Sequence, residues 1–162
     1  MKRLTISVRA CTETLGLLIG MAWADGRLDD DEKAGVRGAA EVFNLGKDHR
    51  GRVEELLGKA PKLSDAKLDG LSARDRAFAF VATAWMAHVD GRLDPEEEKL
   101  LGEIGGKLGL DAARQKQLVE TAKKLEPLPE GKRSWSAELT RLFKAIPPEV
   151  EEIDGDFEVV FE

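Results

Sequence analysis

Met21-Ala22-Trp23-Ala24-Asp25-Gly26-Arg27-Leu28-Asp29-Asp30-Asp31-Glu32 returns 65 residues later as Met86-Ala87-His88-Val89-Asp90-Gly91-Arg92-Leu93-Asp94-Pro95-Glu96-Glu97. Eight of the twelve positions are identical, and no gap is needed. The register holds outward: Ser7 matches Ser72, Arg9 matches Arg74, and Leu45 matches Leu110. Apolar residues pair between them, as in Leu15 with Phe80 and Val36 with Leu101. A fixed offset of this kind marks a duplicated structural unit.

Each copy reads as helices. Ser7 and Ser72 suit N-caps, because a serine hydroxyl accepts from an otherwise orphaned helix N–H. Residues 8–24 and 73–89 turn apolar nearly all round toward their ends, the mark of a buried central helix. Asp-Gly follows, and glycine there can take the left-handed conformation that ends a helix. Asp29 caps the next helix, with Glu32 three residues on as a capping-box partner; Asp94, Pro95 and Glu97 repeat the arrangement. These second helices span about 30–43 and 95–108, stopping near Asn44-Leu45-Gly46 and at Gly109. The glycines within them, Gly35, Gly38, Gly102, Gly105 and Gly106, permit close helix approach. Third helices start at Asp48 and Asp111. Val53, Leu56, Leu57 and Ala60 form one apolar face; Leu118, Val119, Ala122 and Leu125 form the other.

Leu63, Leu68 and Leu71 fit a short linking helix. Trp135, Leu139, Leu142, Phe143 and Ile146 fit one more, over about 135–146. The expectation is an all-α bundle of about seven to eight helices with internal pseudo-twofold duplication. It forms a single domain over residues 1–146, with units at about 7–60 and 72–125. Residues 147–162 form an acidic tail, read as disordered or loosely packed. Phe157, Val159 and Phe161 alternate, so the other reading is a short strand, paired with Lys2 to Ile6.

Composition narrows the function. The formal net charge is -6, and an acidic chain with no basic stripe repels phosphate backbones, which argues against nucleic acid. The one cysteine, Cys11, cannot form a disulfide or a cysteine metal site within a single chain, and it reads as a buried small side chain. Lys2, Arg3 and Arg9 ahead of an apolar run resemble a secretion signal. Polar Thr12, Glu13 and Thr14 interrupt that pattern, and the segment recurs inside the chain, so a cytoplasmic location is expected. No run reaches the length of a membrane span.

Asp-Gly-x-Leu-Asp-x-x-Glu is also the second half of an EF-hand loop. The first half fails: Met21 and Trp23, or Met86 and His88, stand where oxygen ligands are needed. The repeated Asp-Gly turn between an apolar helix and an acidic one instead resembles the TerB-like (tellurite-resistance TerB) family, over about residues 7–125. The resemblance implies a helical, catalytically uncharacterised domain whose acidic turn residues bind metal, with a link to the stress response to tellurite and other agents. Similar domains occur in membrane-anchored DnaJ-like co-chaperones. This sequence departs from that version in having neither a J domain nor an anchor, and Val89 stands where the first copy has Ala24.

Asp25 and Glu32, with Asp90 and Glu97, match the family's acidic turn, and Asp29 and Asp94 lie beside them. Two readings of these six carboxylates stay open. They cap helices and brace turns, which needs no ligand. Alternatively they also hold a divalent cation such as Mg²⁺ or Ca²⁺, which relieves their mutual repulsion. His88-x-Asp90 could bind a transition metal, but Trp23 fills its place in the first copy. His49 reads as solvated. Two histidines and one cysteine, widely spaced, offer no nucleophile–base pair, so an enzyme is not expected. The expected role is a non-enzymatic module with a protein partner, and a homo-oligomer is compatible with it. The alternative is a purely structural interaction or oligomerisation domain.

Overall fold

A computed structural model of the protein describes residues 2–23, 30–42, 46–58, 71–88, 95–124, 141, 144–146 and 157–161. The elements are β1 (Lys2–Ile6), α1 (Val8–Trp23), α2 (Asp30–Val42), α3 (Lys47–Gly58), α4 (Ala73–His88), α5 (Pro95–Lys107), α6 (Ala112–Lys124) and β2 (Phe157–Phe161). Helix dominates, as the sequence predicts. Residues 141 and 144–146 are also helical, within the stretch expected to carry a last helix. The linking segment falls outside the described residues except for Leu71, which is buried and not helical.

Helix starts follow from local chemistry. The Ala10 N–H donates to Ser7 Oγ at 3.1 Å, and the Asp75 N–H donates to Ser72 Oγ at 3.1 Å. Each serine thus satisfies a helix N–H that has no backbone acceptor. Asp111 does the same for α6, accepting from the Arg114 N–H at 2.7 Å. At the matching place in the first unit stands Gly46, and α3 begins at Lys47, one residue before the expected start. Asp48 therefore sits inside the first turn, where its charge suits the positive end of the helix dipole. The starts of α4, α5 and α6 each lie 65 residues after those of α1, α2 and α3.

The stop of α5 lies where Gly109 predicts it. Gly109 has φ of 75°, a left-handed conformation that strains any residue with a Cβ. Its N–H donates to the Gly106 carbonyl, and the Leu110 N–H reaches the Gly105 carbonyl, both at 3.0 Å. This paired closure satisfies two carbonyls at the helix end. Gly105 has a second use. A Cβ there would collide with the Gln115 carboxamide, so the glycine leaves room for that side chain, whose Nε2 donates to the Leu110 carbonyl at 2.8 Å.

α1 and α4 pack along each other at the centre, α3 covers α1, and α6 covers α4. Every residue from 77 to 85 is buried, the all-round apolar signature of a central helix. Phe78, Phe80, Leu15, Leu18 and Ile19 are the largest side chains enclosed there. Thr83 Oγ1 donates to the Ala79 carbonyl at 2.7 Å, whereas the buried Thr14 Oγ1 has no hydrogen-bond partner among the described residues. No helix among the described residues is long and apolar enough to cross a membrane.

The tail corrects the expectation of disorder. Residues 157–161 form β2, which pairs in parallel with β1, Leu4 opposite Val159 and Ile6 opposite Phe161. Ile6 is fully buried, and Val159 packs against the core. The alternation of Phe157, Val159 and Phe161 in the sequence is the two-residue period of a strand.

Candidate functional site

Of the six carboxylates predicted to bind metal, Asp25, Asp29, Asp90 and Asp94 lie outside the described residues. Glu32 is in the first turn of α2, but its side chain is not described. Glu97 is in the first turn of α5, buried, and engaged with a partner. Among the described residues no group of three or more His, Cys, Asp or Glu side chains converges as a metal would need. His88 is the last residue of α4, and its side chain is not described.

The structure brings together the heads of α1 and α4, a junction the sequence did not single out. Ser7 Oγ, the cap of α1, donates to Asp75 Oδ2 in the first turn of α4 at 3.3 Å. The neighbouring Arg74 donates through Nη2 to the Thr5 carbonyl of β1, and its Nε lies 3.9 Å from Asp75 Oδ1. That distance is ionic contact rather than a hydrogen bond. Asp75 is buried, and its Oδ1 accepts no hydrogen bond among the described residues. Because the heads touch, the two central helices set out from the same end of the molecule.

Cys11 packs beside this junction, fully buried. Burial pushes its thiol well above the usual cysteine range, and the negative charge of Asp75 adds to the effect. The thiolate needed for nucleophilic or redox chemistry is suppressed, which matches the reading of Cys11 as a small core side chain.

The seam between α1 and α3 is polar. Arg52 Nη2 donates to Glu13 Oε1 at 3.3 Å, with the glutamate side chain 5% exposed and the arginine 20%. His49 is half-buried rather than solvated, with Nδ1 3.2 Å from Thr12 Oγ1. Thr12 Oγ1 already donates its single proton to the Val8 carbonyl at 2.9 Å, so the imidazole is the donor to it. This hydroxyl is not activated as a nucleophile. On the outer face, Arg37 grips Glu54 through two bonds of 2.8 and 3.1 Å. Hydrogen bonding to Arg37 holds the Glu54 carboxyl below the usual carboxylate range, against a smaller desolvation effect.

The sequence did carry a signal for these buried charges. At the 65-residue offset Glu13 faces Phe78 and Asp75 faces Ala10, so each is a charge at a position its counterpart fills with an apolar residue. No family model, curated protein or solved structure matches the chain.

Proposed function

We propose that the chain is a non-enzymatic, TerB-like helical module, a duplicated unit of about seven to eight helices. In this reading its Asp-Gly turns bind a divalent cation, and it acts in stress response or protein interaction in the cytoplasm. The observation that carries the reading is the recurrence of Asp-Gly-Arg-Leu-Asp with a following Glu between helix pairs of matching length. α1 and α4 both have 16 residues, and α2 and α5 both have 13. The carboxylates Asp25, Asp29 and Glu32, and Asp90, Asp94 and Glu97, are the ligands of this reading. Clustered acids at a helix start suit hard cations such as Mg²⁺ and Ca²⁺.

A second reading is favoured by the burial of Glu97 and by the side-chain caps at Ser7, Ser72 and Asp111. A chain that starts its helices this way has a use for Asp29, Glu32, Asp94 and Glu97 as caps alone, and the fold would then serve protein interaction or self-association. Thermal melting of chelator-treated protein, with Mg²⁺, Ca²⁺, Mn²⁺ or Zn²⁺ added singly, separates the two. The metal reading requires a saturable rise in Tm with one ion, absent in the Asp25→Ala/Asp90→Ala variant. No rise with any ion leaves the capping reading.

A further inference from the structure

Between the head of α4 and the turn joining α5 to α6 lies an open cleft of about 400 Å³. Arg74, Arg76 and Arg114 line it, over an apolar floor of Leu108 and Leu110, and among the described residues no carboxylate contributes to its wall. In a chain with 31 acidic and 25 basic residues, three arginines at one cleft are a local reversal of sign.

Arg76 and Arg114 are anchored by neutral acceptors. Arg74 donates to the Thr5 carbonyl, with Asp75 in ionic contact. Arg76 Nε donates to the Leu71 carbonyl at 3.2 Å, and its Nη1 lies against Gly109. Arg114 Nη1 donates to Gln117 Oε1 at 2.8 Å. Neither Arg76 nor Arg114 forms an ion pair among the described residues. The acids adjoining cleft residues in the chain are already committed, Asp75 to Ser7 and Arg74, and Asp111 to the start of α6. An arginine offers five N–H donors, so the one neutral bond that fixes Arg76 or Arg114 leaves donors for an anion.

We propose that this cleft binds a small diffusible phosphate monoester. A dianion with three acceptor oxygens matches several guanidinium groups lining one cleft better than a single carboxylate does. The volume exceeds that of a bare ion and falls at the small end of ligand pockets, leaving room for an organic group on Leu108 and Leu110. At the 65-residue offset Arg76 is replaced by Cys11 and Arg114 by His49, so the site belongs to the second unit alone.

Isothermal titration of the full chain with inorganic phosphate, O-phosphoserine and acetate tests this. O-Phosphoserine should saturate with a Kd below about 1 mM. Arg76→Gln and Arg114→Gln should each weaken it about tenfold, and acetate should bind at least about tenfold more weakly than phosphate. Arg114 lies in the first turn of α6 and holds no other element, so its variant reads binding even if Arg76→Gln disturbs Leu71. Absence of saturable phosphate binding overturns the proposal, as does equal affinity in the double variant. Binding confined to phosphatidate vesicles overturns the assignment to a diffusible ligand.

Discussion

The α1–α3 unit and the α4–α6 unit place their helices at the same spacing and fill the seams with opposite chemistry. Where α1 meets α3, Glu13 pairs with Arg52 and Thr12 with His49. At the corresponding places of α4 and α6 stand Phe78 with Gln117 and Ala77 with Arg114, and Phe78 is fully buried. Both third helices bury apolar residues, Val53, Leu56 and Leu57 in one and Leu118 and Ala122 in the other, but only the first adds a charged pair, where the second unit has a buried phenylalanine. At the outer end the order reverses: Cys11 is sealed and uncharged, whereas Arg76 and Arg114 open a cationic cleft. The difference teaches that backbone spacing is set by caps, turns and apolar period, which both units share. The residues left over can then diverge in charge at little cost to the frame.

The largest test is Phe78→Ala. Emptying this position should cost about 3–5 kcal/mol in urea unfolding, since the cavity has no room to collapse in a fully enclosed core. Next is Arg52→Met, which takes the arginine from a buried glutamate and should cost about 3 kcal/mol. Adding Glu13→Leu should recover most of that loss, making the first seam resemble the second. If Arg52→Met costs nothing measurable, the polar seam is not what holds α3. The caps sharpen the contrast: Ser72→Ala should cost about 1 kcal/mol and Ser7→Ala about 2, because Ser7 also donates to buried Asp75. Equal losses would mean the head junction adds nothing.

A last test is alkaline. The folded thiol of Cys11 is raised above its unfolded value, so its contribution is intact below about pH 8.5 and fades as pH rises. Above that pH the unfolded chain releases a proton the folded one retains. Stability should fall about 1.4 kcal/mol per pH unit more steeply in the wild type than in Cys11→Ala. Parallel pH profiles would show that Cys11 is not enclosed.

Much of the frame was legible because its signals are local. The caps formed by Ser7 and Ser72 and the turn at Gly109 act within four residues, and the run over 77–85 declares its own burial. Less visible was anything that needs a distant partner. Glu13 and Asp75 read as breaks in an apolar pattern until Arg52 and Ser7 arrive from other elements. β2 is five residues long, too short for its period to outweigh the acidic stretch before it, and its partner lies at the other end of the chain. The cleft is assembled from Arg74, Arg76 and Arg114, on two helices widely separated in sequence, so no motif announces it. The acidic turns are the reverse case, plain in the sequence and outside the described residues.

The parallel pairing of Lys2–Ile6 with Phe157–Phe161 sets an order of events during synthesis. β1 leaves the ribosome early and has no mate until residue 161 has been made. Closing so long a loop in a disordered chain costs about 2 kcal/mol more entropy than closing a ten-residue hairpin. The helices remove most of that cost by bringing the two segments side by side first. The strand pair therefore acts as a clasp that fastens last, and its protection from hydrogen exchange would report whether the helical body beneath it has been completed.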